Sequence, residues 1–334
     1  VATPDVRQVV TLLSSHCNWV TETRLMETNW DRFQRRSFNI ADIAELYHEN
    51  SKMRPYQVFE VGLSTDIFRQ PAIIESCTRI GKQYPAAEKV PLPVKGLRIR
   101  KPFSEVVFSR RSHRRYKNTP MPLDHLASLL YHALGVTGRM DFREVHTGKL
   151  LTQFFRAAPS GGALYPVEIY VVALRVDGLS TGTYHYDVMG HRLELLHAGL
   201  LPAPDCRLNG LTDFFSLFPI HPDIVPVDQA AVVLVMSGVL DRTAAKYGPR
   251  GYRYVLQETG HVCQNAWLAA TALGYGAVSL AGFFDDELNE WLGLDGRDEA
   301  ALYVLVIGVS AERPLRPVGP EQLPIIRGND GGVR

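Results

Sequence analysis

Apolar and polar residues recur along this chain in two registers, one of period 3.6 and one of period two. Leu123, Leu126, Leu129, Leu130, Ala133 and Leu134 fall at helical spacing on one face. The pattern predicts a helix that begins after Pro122 and stops at Gly135. Residues 167–174 read as a strand, 182–187 and 191–196 as a hairpin around Met189-Gly190, and 230–236 as a buried strand rich in Val. A long helix is predicted over 251–273, ended by Gly274. After it come a strand near 277–280, a short helix started by Asp285 and a last strand over 302–307. Strands interleaved with helices imply an α+β or α/β domain with helices packed around a sheet.

The first 96 residues carry no comparable pattern and close with the Pro-spaced segment Tyr84-Pro85…Pro91-Leu92-Pro93. They read as a helical N-terminal extension and linker (1–96), followed by one main domain (97–320) and a short tail (321–334). With 334 residues, 46% of them hydrophobic, the chain is long enough to bury a sizeable core. Lys plus Arg number 36 against 35 Asp plus Glu. A net charge of +1 gives no general attraction to nucleic acid or to anionic membranes. Cys17, Cys77, Cys206 and Cys263 lie far apart with no C-x-x-C pair, which suggests neither a zinc site nor a redox dithiol. No window has the apolar length of a membrane span and no signal-peptide pattern opens the chain, so a cytoplasmic location is expected.

The basic residues are concentrated locally. Residues 98–117 hold eight Lys and Arg against the single acid Glu105. This favours a small anion held at one place over a long polyanion. At its centre stands Arg110-Arg111-Ser112-His113-Arg114-Arg115-Tyr116. The three guanidiniums of Arg110, Arg111 and Arg114 and the Ser112 hydroxyl suit a phosphate, because Arg offers a rigid fork of donors and Ser adds one more. One predicted helix later comes Pro159-Ser160-Gly161-Gly162-Ala163-Leu164-Tyr165-Pro166, where side-chain-free glycines let backbone N–H groups approach a flat ring. Taken singly, the basic run is a solvated face and the glycine run a turn. Together, they read as the two halves of one site. Arg35-Arg36-Ser37 repeats the triplet without further cations and is read as a decoy.

These motifs carry a resemblance. From about residue 100 to 317 the sequence resembles FMN-dependent nitroreductase-fold enzymes, and most closely the SagB/McbC-type azoline dehydrogenases. The resemblance implies an α+β fold, a sheet flanked by helices, and a homodimer with FMN at the subunit interface. It places Arg110, Arg111, Ser112 and Arg114 at the FMN phosphate and ribityl end, and Pro159, Ser160, Gly161 and Gly162 beside the ring. Gly274-Tyr-Gly-Ala-Val-Ser-Leu-Ala-Gly-Phe283 resembles the segment that reaches the flavin N5 edge, so Ala281 and Gly282 are its candidates. Many nitroreductases carry an acid where Ala281 stands. By position, Arg316 matches a further phosphate ligand of the fold.

The stretch Arg242-Thr-Ala-Ala-Lys246-Tyr247-Gly248 resembles the Lys-Tyr motif of the azole-forming members, which implies that Lys246 and Tyr247 assist proton removal from the substrate. Aromatising an azoline removes a weakly acidic Cα proton and a Cβ hydride, so a base must stand near the ring. Free Lys and Tyr titrate near pH 10.4 and ~10, and neighbouring cations are expected to lower Tyr247. Gln257, Glu258, His261, Gln264 and Asn265 read as a helix face that satisfies its own hydrogen bonds. His185, His191 and His197 share no evident pocket.

The function implied is FMN-dependent oxidation of a thiazoline or oxazoline, in a peptide or carrier-bound intermediate, to the azole, with oxygen regenerating the flavin. Such enzymes serve ribosomal peptide modification complexes or non-ribosomal peptide synthetases. The alternatives are an NAD(P)H-dependent nitro or quinone reductase of the same fold, a flavin-dependent dehydrogenase of an aminoacyl thioester, and a non-catalytic scaffold in a biosynthetic complex.

Overall fold

A computed structural model describes residues 40–52, 81–94, 98–202, 206 and 208–313, together with Ile74 and Thr78. Arg316 lies outside the described residues. The chain divides into two compact units, residues 1–58 and 59–334, and the described part of the first holds helix α1 (Ile40–Asn50).

The second unit is built on a sheet. In chain order its described elements are β1 (Lys89–Pro91), α2 (Phe103–Ser109), β2 (Met121–Pro122), α3 (Leu123–Leu134), β3 (Val136–Arg143), β4 (Leu150–Arg156), β5 (Val167–Ala173), β6 (Val176–Asp177), β7 (Gly182–Asp187), β8 (Arg192–Ala198), β9 (Val232–Val239), α4 (Leu240–Tyr247), α5 (Gly251–Ala272), β10 (Gly276–Leu280), α6 (Asp285–Leu292) and β11 (Glu299–Gly308). Seven strands form one sheet in the order β1-β8-β7-β5-β9-β11-β10. Every neighbouring pair in it is antiparallel.

Why the central strands are apolar throughout follows from the layers on either side. Register pairs Ile169 with Met236 and Val171 with Leu234, and these side chains meet α3 and α5 in one core. The alternate residues Tyr170, Val172, Val233 and Val235 point the other way, into a second core with Phe214, Leu217 and Trp291. A strand covered on both faces buries successive side chains on opposite sides and loses the usual polar alternation. Helix α3 buries the stripe predicted for it, from Leu126 to Leu134, and stops with the Gly135 N–H bonded to Tyr131 O at 2.8 Å.

Five elements depart from the sequence reading: β1, β3, β4, α4 and the start of β8. Residues 89–91, read as linker, form the edge strand β1 and pair with β8. Residues 136–156 form the ribbon β3–β4, and α4 precedes the long helix. His191 has φ 42°, so the hairpin strand begins one residue later than predicted, at Arg192.

A polar cluster lies buried where the sheet meets residues 81–89. Glu168 accepts hydrogen bonds from the Lys82 N–H (2.9 Å) and from Arg242 Nη1 (2.6 Å). His185 lies between Glu168 (3.4 Å) and Glu194 (3.0 Å). Glu299 takes Lys82 Nζ, the Tyr170 hydroxyl and the Ser237 hydroxyl. Burial pushes the Glu168 carboxyl upward, but the His185 hydrogen bond and the Arg242 and Arg156 charges outweigh it and hold it at about 2. Burial depresses His185, and the two carboxylates overcome this and raise it.

Candidate active site

The basic loop leaves α2 at Arg110, whose N–H closes the helix on Val106 O at 3.0 Å. Ser112 forms a parallel bridge with Ala277 of β10, and Tyr116 an antiparallel bridge with Ser310. The loop is therefore laced between the start of β10 and the end of β11. The approach is close: a Cβ on Gly276 would sit 2.7 Å from that of His113. His113 Nδ1 meets Ser310 Oγ at 2.8 Å, and Glu312 accepts from the backbone N–H groups of Arg114 (2.5 Å) and Arg115 (3.0 Å). With the backbone fixed, the cations spread outward. The Arg110 guanidinium stacks 4.7 Å over the Trp267 ring, and Arg111 donates to Phe108 O and Arg110 O. Arg114 is exposed, whereas Arg115 is drawn away to Asp223 O at 3.2 Å.

The glycine loop is strained. Gly162 (φ 68°) lies in left-handed backbone, and so do Ala163 (φ 55°) and Tyr165 (φ 48°), which carry side chains. Such residues cost on the order of 1 to 3 kcal/mol each and persist only where surroundings over-determine them. Here Ser160 Oγ accepts from the Tyr165 N–H at 2.8 Å, and the Tyr165 hydroxyl accepts from the Arg156 N–H at 3.1 Å. Arg242 of α4 donates to Tyr165 O at 2.9 Å and to Glu168, tying the loop to the buried cluster.

Lys246 and Tyr247, at the end of α4, reach this loop. A Cβ on Gly162 would stand 2.7 Å from Lys246 Nζ and 2.9 Å from Tyr247 Oη, so only glycine lets both close on the backbone. The Tyr247 ring meets Tyr254 edge to face at 4.8 Å. The expected downward shift of Tyr247 is not found. Burial, followed by Tyr254 and Glu258, pushes its pKa upward, which keeps it a phenol and a hydrogen-bond donor.

Glu258, read from the sequence as part of a helix face that satisfies its own hydrogen bonds, meets the glycine loop instead. It is 6% exposed and accepts the Gly161 N–H at 2.8 Å. That N–H is therefore not free to face a ring. Asn265, two turns on, donates to Ala157 O at 3.4 Å. Gln257, His261 and Gln264 are exposed, so the helix face divides into solvent and site sides. A signal was present: Glu258 shares the buried stripe of Val255, Val262, Ala266 and Ala269, where a lone acid needs a partner. The histidines set aside from sequence lie apart: His185 in the buried cluster, His191 on the Tyr186 hydroxyl, and His197 against Trp291.

The two loops approach α5 differently. Glu258 meets the glycine loop and Trp267 meets Arg110; nine residues, about two and a half turns, turn them to opposite sides of the helix. Ala281 and Gly282, both exposed, belong with the basic loop. They follow β10, roughly 13 Å of extended chain beyond the Ser112 bridge at Ala277.

A helix-flanked antiparallel sheet, with a cationic loop and a strained glycine loop on opposite sides of α5, defines an α+β protein. The chain belongs to the Nitroreductase family, a family of oxidoreductases, whose model matches residues 107–200 and 225–309. It is 34% identical over 209 residues to a Methanocaldococcus jannaschii protein described as a nitroreductase, covering 62% of this chain and 91% of that one. It is 32% identical over 157 residues to the microcin B17-processing protein McbC of Escherichia coli, covering 46% of this chain and 54% of McbC. The trifolitoxin-processing protein TfxB of Rhizobium leguminosarum bv. trifolii is 29% identical over 198 residues, with 58% of this chain and 49% of TfxB covered. The chain thus spans about half the length of these two processing proteins. Among solved structures, one from Anabaena variabilis described as a nitroreductase has a TM-score of 0.56 at 24% identity, covering 81% of this chain and 47% of that one. That likeness concerns the fold.

Proposed function

We propose that this protein is an FMN-dependent dehydrogenase that converts a thiazoline or oxazoline, embedded in a peptide or in a carrier-bound peptidyl intermediate, into the azole. The observation that carries the reading is the closure of Lys246 Nζ and Tyr247 Oη on Gly162. A flat acceptor reduced by ping-pong chemistry needs no positioned base, whereas azoline aromatisation does. The relatives McbC and TfxB, both named for processing a peptide product, support the same reading.

The residues fit FMN. Arg110, Arg111, Ser112 and Arg114 would supply donors for a phosphate, as would Arg316, and Pro159, Ser160, Gly161 and Gly162 would border the ring, with Gly162 leaving room for Lys246 and Tyr247 beside it. Ala281 and Gly282 offer backbone to the edge of the ring, where an N–H favours growing negative charge. The chemistry that bound FMN supplies is acceptance of the Cβ hydride, with dioxygen taking the electron pair afterwards. Lys246 takes the Cα proton, and Tyr247, held as a phenol, donates a hydrogen bond to the substrate.

Because α5 separates the two loops within one chain, a second copy is needed to set a glycine loop against a basic loop. Apolar residues exposed beside the site, Phe103 and Phe108 on α2 and Leu256 on α5, suit such a contact. Light scattering on the eluted yellow protein is expected to give twice the chain mass; a flavin-loaded monomer would overturn the composite site. Arg111→Ala is expected to elute with little flavin and to lose the thermal stabilisation that added FMN gives the parent protein. Unchanged flavin content would place the phosphate elsewhere.

The experiment that tests the function is aerobic incubation with a thiazoline-containing peptide or thioester, without nicotinamide, followed by mass spectrometry. Loss of two mass units with peroxide release is the expected result. The nitroreductase description of the M. jannaschii relative favours a second reading, a nicotinamide-driven nitro or quinone reductase. Flavin reduction by NAD(P)H, with turnover only on such acceptors, would establish that reading instead.

A further inference from the structure

We propose that Glu258 is a positioning residue of this site, a carboxylate clamp that holds Ser160 and Gly161 against α5 so that Lys246 and Tyr247 can close on Gly162. The inference rests on the proposed function for what the clamp serves, but not for its geometry. Glu258 Oε1 accepts the Gly161 N–H at 2.8 Å, and the Ser160 side chain beside the same carboxylate favours its anion. The Ser160 oxygen in turn accepts the Tyr165 N–H, so one acid fixes both ends of the strained turn. A Cβ on Gly161 would lie 3.6 Å from Glu258 Oε1 and 3.9 Å from Tyr247 Oη. The carboxylate and the phenol thus both reach the Gly161 backbone. An absent acceptor leaves the Gly161 N–H short of a partner, and a neutral one holds it too weakly to keep the turn from relaxing.

The carboxylate works only when ionised. Burial pushes it upward, against the Gly161 N–H, the Ser160 hydroxyl and the Arg156 charge, which favour the anion. The other groups at the loop are Tyr247, whose ring meets Tyr254 of α5 edge to face, and Lys246, whose Nζ reaches Gly162. The clamp is therefore set above the carboxyl's raised value and released as pH falls through it.

Two variants of the full chain separate the clamp from a general packing role. Hydrogen exchange of the peptide spanning residues 157–166, corrected for the intrinsic pH dependence of exchange, reads the clamp without any substrate. Glu258→Ala is expected to speed that exchange most above the carboxyl's raised value, where the parent's clamp is set. Turnover should fall by about 100-fold, mostly in kcat, as misplacing a reacting group does. Glu258→Gln keeps an oxygen for the Gly161 N–H but lacks the charge, so its loop should exchange at pH 8 about as fast as the parent's does at low pH. Unlike the parent protein, it should show no loosening of the loop as pH falls. Exchange in Glu258→Ala equal to the parent's would overturn the proposal. If Glu258→Ala does not fold, Glu258→Gln decides the matter, because an acid-induced loosening identical to the parent's would overturn the proposal equally. A parent protein that loosens as expected yet oxidises no azoline would remove the functional reading and leave the clamp intact.

Discussion

Lys246→Ala combined with Tyr247→Phe is expected to give folded, yellow protein whose azoline turnover is lower by 10²-fold to 10⁴-fold, roughly the span a positioned acid–base group contributes. The site geometry separates the two contributions. Lys246 Nζ approaches Gly162 from the end of α4, whereas the Tyr247 hydroxyl reaches the same point with its ring braced against Tyr254. Tyr247→Phe keeps that edge-to-face contact, so stability should change little, within about 1 kcal/mol. Because burial raises Tyr247, its loss removes a hydrogen-bond donor and not a base. The single Tyr247→Phe change should therefore cost less than Lys246→Ala. Deuterium at the substrate Cα should slow the Lys246→Ala enzyme more than the parent, since proton removal becomes rate-limiting. Full turnover by the double variant would reduce the pair to residues that merely line the loop, and would move the reading toward the reductase.

The two loops stood out in the sequence only as a pair, and Lys246-Tyr247 only through its resemblance to a known motif; what the structure adds is that this pair reaches Gly162. The central strands were legible for a different reason: 167–173 and 232–236 are so continuously apolar that only burial on both faces explains them. The ribbon β3–β4 gave no such signal. Met140 and Leu150 are exposed and lie on opposite faces of the ribbon, so its apolar positions mark no buried side. The three residues of β1 take their strand conformation from pairing with β8, a partner more than a hundred positions away. Glu258 was misread because its seven-residue offset from Asn265 looked like an ordinary polar helix face. What distinguishes it is the strained loop packed across it, and that contact links positions 97 residues apart. The buried cluster was invisible for the same reason. His185 meets Glu194 and Tyr170 only because the sheet register places it opposite both.

That cluster carries the second large effect. Glu168→Gln is expected to lower the unfolding free energy by about 3 kcal/mol or more, since breaking a buried ion pair leaves its partners charged and uncompensated. The melting temperature should fall on the order of 10 °C. Arg242, Arg156 and His185 all face this carboxylate, and Arg242 also holds Tyr165 O, so the loss should propagate into the glycine loop as weaker flavin retention. The pH dependence identifies the cause. A carboxyl held at about 2 contributes stability that is fully present above its unfolded value near pH 4.3 and is lost as pH falls through the folded one. The gap between parent and variant should thus be widest above about pH 5 and close as pH approaches 2. His185 runs the opposite way: raised by its two carboxylates, it contributes below its unfolded value of ~6.5, and that contribution is lost as pH rises through the folded one. Removing Glu168 takes away one of those carboxylates, so the parent's loss of stability on the alkaline side should begin at lower pH in the variant. Denaturant melts across this range would show both limbs. A constant gap between the two proteins at all pH values would mean that Glu168 acts through packing and not through its charge.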